Sequence, residues 1–159
     1  MRHVVGVADL KISDNNVDEI VTYALGSCLG VTAYDPVARV GGMLHVMLPS
    51  SAIAPDKAAA NPCMFVDSGI PKLFLDCCRA GAVKQRLVVK AAGGACVIGS
   101  QDDYFQIGRR NYQMLAEILA RHGVPLMAVD VAGNNARTLI LEIATGAVRV
   151  CTHSSISIL

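Results

Sequence analysis

Residues 22–49, TYALGSCLGVTAYDPVARVGGMLHVMLP, decide how the rest of the chain is read. An apolar run, Ile20-Val21-Thr22-Tyr23-Ala24-Leu25, and a β-rich run, Val31-Thr32-Ala33-Tyr34, flank the small-residue segment Gly26-Ser27-Cys28-Leu29-Gly30. A cysteine therefore lies where two strands meet. The glycines at 26 and 30 are expected to let the backbone bend sharply there and to let another segment come close. Asp35-Pro36 opens a turn, Gly41-Gly42 follows, and Met43-Leu44-His45-Val46-Met47-Leu48 reads as a third strand ended by Pro49. The three runs read together as an antiparallel meander with Cys28 at one bend and His45 on a strand.

That pairing has a chemical meaning. A thiol with a free pKa of about 8.5 is mostly protonated at neutral pH, so a nucleophilic cysteine needs an imidazole or another positive influence beside it. His45 is the one histidine with β-patterned residues on both sides, and it is the candidate base. The competing reading is structural, because free cysteines are among the most buried residues and a lone histidine among apolar neighbours is commonly a satisfied core side chain. The joint pattern favours chemistry, since Thr22, Ser27, Cys28 and His45 all interrupt apolar runs near glycine-rich bends.

Working outward, residues 3–8 read as a first strand ended by Asp9, with turn-rich Asp14-Asn15-Asn16 beyond it. Residues 50–60, SSAIAPDKAAA, have loop composition. Phe65, Ile70, Leu73, Phe74 and Cys77 outline a helical face that stops at Gly81, and Pro71 argues for a start near Asp67-Ser68. Residues 87–92 read as a buried strand. Gly93-Gly94 after it allow a close approach, but no phosphate-loop or dinucleotide fingerprint is present. Tyr112, Leu115, Ile118 and Leu119 predict an amphipathic helix over about 108–122, closed by Gly123. Residues 126–131 are strand-like, and 138–144 with 148–152 form a closing hairpin around Thr145-Gly146. Arg137, beside Gly133-Asn134-Asn135, has two readings: a fork that holds the turn's carbonyls, or a substrate contact.

Composition excludes several classes. A chain of 159 residues with 53% hydrophobic content is expected to form a single domain, residues 1–159, with a substantial core. Charged residues break every apolar stretch before it reaches the ~18 residues of a membrane-spanning helix, and no signal-peptide pattern opens the chain. No membrane insertion and a cytoplasmic location are expected. A net charge of +1 with scattered Lys and Arg gives no footprint for nucleic acid. The six cysteines (28, 63, 77, 78, 96, 151) read as free thiols, and the four histidines lack ligand spacing, so neither a metal nor a cofactor is expected. Strand-heavy order with two helices points to a layered α/β or α+β domain, largely antiparallel or mixed.

The chain resembles the CheD family of chemoreceptor glutamine deamidases. The resemblance is carried by Thr22 with Leu25-Gly26-Ser27-Cys28, Asp35-Pro36 and Gly42-Met43-Leu44-His45-Val46-Met47-Leu48-Pro49. Further on it is carried by Lys90-Ala91-Ala92-Gly93-Gly94-Ala95, Ile107-Gly108 with Asn111, and Gly133-Asn134 with Arg137, in family order. It implies a β-sandwich-like core flanked by helices, similar to the catalytic domain of cytotoxic necrotizing factor toxins. It implies hydrolysis of protein glutamine to glutamate in chemotaxis adaptation, a signal-transduction activity, through a thioester on Cys28. His45 would be acid and base. Thr22 would orient His45, although a plain β-branched strand residue remains the other reading of Thr22. Backbone N–H groups around Gly26, Ser27, Cys28 and Leu29 are the candidate oxyanion donors. The implied partners are chemoreceptor cytoplasmic domains and, where one exists, a CheC-type phosphatase. Two alternatives stay open: a non-catalytic receptor- or CheC-binding adaptor, and a cysteine amidohydrolase or transglutaminase acting on another protein.

Overall fold

The computed structural model describes residues 1–96, 99–100 and 104–159. Two five-stranded sheets stack face to face, and helices cover the outer face of one of them. The first sheet runs β1 (Arg2–Val4), β3 (Glu19–Leu25), β8 (Arg137–Glu142), β9 (Val148–Cys151) and β10 (Ile156–Ile158). The second runs β2 (Asp9–Ser13), β5 (Val40–Val46), β4 (Leu29–Asp35), β6 (Val88–Gly93) and β7 (Leu126–Val131). Each sheet is antiparallel except at one edge, where β1 runs parallel to β3 and β7 parallel to β6. The described helices are α1 (Pro55–Ala60), α2 (Val66–Arg79) and α3 (Ile107–His122). This is a mixed, mostly antiparallel α+β architecture, and none of these helices is long and apolar enough to cross a membrane.

Strands β4 and β5 are buried along their whole length because they lie in the middle layer, between the first sheet and the helices. Side-chain alternation divides them cleanly. Val40, Leu44 and Val46 join Leu29, Val31 and Ala33 in the core shared with Ile70, Leu73, Phe74 and Leu115 of the helices. Met43 instead joins Ile20, Leu25, Leu139, Leu141 and Val150 between the sheets. By the same period of two, His45 faces the space between the sheets. Helix α2 comes close to β5 at Gly42, where a Cβ would lie 2.9 Å from Leu73 and 3.1 Å from Cys77 Sγ.

Several expectations are corrected. The three runs around Cys28 do not form a meander. β4 and β5 pair, but β3 belongs to the other sheet, and the segment 26–28 is a crossing between layers. The sharp bend is carried by Ala24, at φ +56° in a bulge of β3 against β8, and neither Gly26 nor Gly30 has a positive φ. The first strand is shorter than 3–8. Asp9, expected to end it, instead opens β2, whose edge position tolerates its polar residues. Residues 55–60 are helical, with Pro55 in the first turn where its missing N–H costs nothing. Helix α2 starts at Val66, one residue before the expected point, leaving Pro71 just inside the second turn. β10 was not expected. The strand 126–131, the hairpin β8–β9, and α3 with Gly123 as its left-handed cap are all present.

Candidate active site

The site is built where β3 of one sheet passes over β4 and β5 of the other. His45 lies opposite Gly30 on β4 and Asp9 on β2. A Cβ on Gly30 would stand 2.8 Å from Leu139 Cδ2, 2.9 Å from Leu25 Cδ1 and 3.4 Å from Thr22 Cγ2. The absence of a side chain there lets β3 settle close enough for Thr22 to reach across the sandwich. Thr22 Oγ1 is 2.7 Å from His45 Nδ1 and 2.8 Å from the Val5 carbonyl oxygen, with both side chains essentially fully buried.

These two contacts assign the tautomer. A carbonyl can only accept, so the single hydroxyl proton of Thr22 is donated to Val5, and the Thr22 oxygen accepts from Nδ1–H. Nε2 of neutral His45 therefore carries the lone pair, and it is buried without a hydrogen-bond partner among the described residues. Burial pushes the His45 pKa below the ordinary imidazole value of 6.5, which keeps the ring neutral. A buried acceptor with no donor is costly in a folded protein.

Cys28 lies two residues before Gly30, partly buried, and packs against the edge of the same inter-sheet core into which Thr22 and His45 project. Its backbone is clamped. The Gly26 carbonyl accepts from Ala95 N–H at 2.8 Å, the Cys28 carbonyl accepts from Gly94 N–H at 2.9 Å, and the Ser27 carbonyl accepts from Asn111 Nδ2 at 3.0 Å. Gly93, at φ +110°, makes the close approach possible, because a Cβ there would fall 2.3 Å from the Cys28 carbonyl oxygen. In a trans peptide the N–H points opposite to the C=O. With the three carbonyls drawn toward residues 94, 95 and 111, the N–H groups of Ser27, Cys28 and Leu29 point to the other side of their peptides.

Among the site residues read from sequence, the structure brings Thr22 and His45 into contact and sets Cys28 beside the same core. Gly26 and Ser27 are half-buried on the crossing segment. The Leu29 side chain turns into the helix-side core, and with the Cys28 carbonyl taken by Gly94 N–H the Leu29 N–H faces Val46 in the β4–β5 ladder, which removes it from the candidate oxyanion donors. Arg137 holds the neighbouring turn. It donates to the carbonyls of Gly93, Ala132 and Asn135 and pairs with Asp130. Two contributors were not read as site residues: Asn111, given no role, and Gly93, read only as allowing the close approach that it makes to the Cys28 carbonyl. Asn111 had a visible signal, a polar residue on the apolar stripe 111-115-118 of α3. No disulfide joins any of the six cysteines, and among the described residues no group of His, Cys, Asp and Glu is arranged to hold a metal.

Residues 47–152 match the profile of the family described as CheD chemotactic sensory transduction. The chain belongs to the CheD family. The family profile begins just past His45, but full-length relatives extend the match across the crossing segment. A protein of Solibacter usitatus named "Probable chemoreceptor glutamine deamidase CheD" is 48% identical over 90% of this chain and 84% of its own length. A CheD protein of Syntrophus aciditrophicus is 44% identical over 92% of this chain and 91% of its own, and one of Desulforamulus reducens 42% identical over 95% and 90%. Both carry the same functional name.

Proposed function

We propose that this chain hydrolyses the side-chain carboxamide of specific glutamines in the cytoplasmic part of chemoreceptors, giving glutamate and ammonia, with Cys28 as nucleophile. The observation that carries the reading is His45 Nε2, an unprotonated buried nitrogen without a partner among the described residues, held in that tautomer by Thr22 beside the core where Cys28 packs. The names of the CheD relatives supply the substrate class.

Burial favours neutral His45, so the resting state is a thiol beside an imidazole base. As Sγ attacks the carboxamide carbon, its proton passes to Nε2, the C–S bond forms and the carbonyl oxygen becomes an oxyanion. Thr22, through Nδ1–H, keeps the ring aimed and takes part of the imidazolium charge, although a neutral hydroxyl stabilises it less than a carboxylate would. The N–H groups of Ser27 and Cys28 are the oxyanion donors of this reading, Leu29 N–H being held in the β4–β5 ladder opposite Val46, and loss of one such donor typically costs about 3 kcal/mol of activation free energy. Imidazolium then gives its proton to the departing nitrogen, which leaves as ammonia from the C–N bond. Water, deprotonated by the same nitrogen, cleaves the thioester, and the proton returns to the thiolate. A half-buried nucleophile on a surface crossing suits a glutamine presented by a folded protein.

In this reading residues 1–159 act as one CheD-like deamidase domain in the cytoplasm, the sandwich is related to the catalytic domain of cytotoxic necrotizing factors, and a CheC-type phosphatase is a regulatory partner. The test is peptide mass spectrometry of a chemoreceptor cytoplasmic fragment after incubation with wild-type protein or with Cys28→Ala. The expected result is a gain of ~1 Da at defined glutamines with wild type and none with the variant. A Cys28→Ala protein that retained the full effect on receptor signalling would replace this reading with the adaptor.

A further inference from the structure

Asn111 occupies the second turn of α3, is fully buried, and bonds both to the segment that carries Cys28 and to the residue just past the histidine's strand. Its Nδ2 donates to the carbonyl of Ser27, immediately before Cys28, and to the carbonyl of Met47, two residues past His45, each at 3.0 Å. Two acceptors on Nδ2 fix the amide's orientation, because the flipped amide would set oxygen against both carbonyls. Oδ1 is then buried with no donor among the described residues. Such an amide is not arranged for the stability of its own pocket, since one end is left unsatisfied so that the other can bridge.

The start of α3 is seated to make that bridge. A Cβ on Gly108 would lie 2.5 Å from the Gly94 oxygen and 2.6 Å from the Ala95 oxygen, so the helix starts hard against the segment that binds the carbonyls of Gly26 and Cys28. The Ser27–Cys28 peptide is planar and trans, so holding its carbonyl also sets the direction of the Cys28 N–H on the opposite side. We propose that Asn111 is a positioning residue for the deamidation chemistry: it fixes the Ser27–Cys28 peptide against the end of β5 and so sets both the Cys28 N–H and the separation of the thiol from His45. The proposal rests on Cys28 being the nucleophile.

The test uses the full chain as wild type, Asn111→Leu, Asn111→Ser and, as a control for simple loss of packing, Leu115→Ala one turn further along α3. Deamidation of a receptor fragment gives kcat and KM. The pH dependence of iodoacetamide alkylation at Cys28, resolved from the other thiols by peptide mass spectrometry, reads the thiol's environment without any substrate. Misplacing a reacting group by about 1 Å costs on the order of 100-fold in rate. Asn111→Leu is expected to lower kcat by about that factor with KM nearly unchanged and to shift the Cys28 alkylation profile. Asn111→Ser, which keeps one donor, is expected to fall between. Leu115→Ala should lose stability yet keep the wild-type profile and kcat.

Folded Asn111 variants with a wild-type profile and kcat would overturn the proposal, as would Leu115→Ala reproducing their changes. An Asn111 series in which none folds assigns the amide a structural role and also overturns it. Wild-type protein that alkylates normally at Cys28 but never deamidates a receptor sinks the deamidase reading alone. In that case the alkylation profiles still decide whether Asn111 positions the thiol.

Discussion

The two ends of β4 are built to opposite rules. At its far end, the Asp35 carboxylate is fully buried and fully satisfied: it accepts from the backbone N–H groups of Val37, Ala38 and Val83 and from Nε and an Nη of Arg86, all between 2.8 and 3.1 Å. Burial alone would raise its pKa, but Arg86 and the three N–H groups outweigh it and hold the carboxyl far below its ordinary range. At the near end, His45 Nε2 and Asn111 Oδ1 are buried without partners among the described residues, and Cys28 packs against the inter-sheet core. One end uses its polar groups to lock a turn. The other buries acceptors in a low-dielectric interior, where an incoming proton or substrate group gains most from them.

The contrast breaks most sharply at His45. In His45→Gln, the base is gone while the buried space is still filled by an amide. Deamidation is expected to fall on the order of 1,000-fold with the fold retained, as measured by receptor-fragment mass spectrometry beside circular dichroism. The same residue sets a pH signature. The unfolded chain protonates its histidine near 6.5, whereas the folded one resists protonation to lower pH, so His45 favours the folded state above about 6.5 and that contribution is lost as pH falls through the lowered native value. The acid limb of kcat/KM is expected below pH 6.5, and His45→Gln should flatten the fall in stability over that window.

At the satisfied end the expected signs reverse. Asp35→Asn removes the charge that Arg86 and three N–H groups surround. It is expected to lower unfolding free energy by about 2 kcal/mol, a figure discounted because Arg86 is more than one-third exposed. Near neutral pH and well below the unfolding temperature, kcat should stay within twofold of wild type. Urea titration and steady-state kinetics on one preparation check both halves, and a large loss of kcat in a folded Asp35→Asn protein would erase the distinction between the ends. The smallest effect is expected at Thr22→Val, a change of similar shape that leaves the Val5 carbonyl and His45 Nδ1–H without their partner. Kinetics should show kcat lower by about tenfold, and urea titration a stability loss of about 1 kcal/mol. An unchanged kcat would reduce Thr22 to the β-branched strand residue that its sequence context also allows.

Legibility followed the range of the interactions involved. Residues 126–131, the β8–β9 hairpin and the α3 stripe with its Gly123 cap were readable because each rests on neighbours a few positions apart. Arg137 showed in advance one of its two readings, the fork on turn carbonyls. The meander failed because consecutive strands are usually neighbours, whereas β3 and β4 are consecutive yet lie in different sheets. The left-handed Ala24 was hidden because alanine carries no sign of a positive φ. β2 and β10 were hidden because edge strands with one exposed side need little hydrophobic pattern.

The sequence by itself determined which residues interrupt the apolar runs, and so the short set from which a site could be drawn: Thr22, Ser27, Cys28 and His45. It also determined the period of the strand 126–131, of the β8–β9 hairpin and of α3, which follows from local sterics and side-chain alternation. Only the tertiary structure decided that the segment after β3 crosses from one sheet to the other, that Thr22 closes on His45 over Gly30, and that Asn111 ties the Ser27 carbonyl to the Met47 carbonyl. Those outcomes depend on how two stacked sheets and a helix share one interior. Hydrogen bonds between residues 23 to 84 positions apart form only when long-range packing has already brought their backbones together.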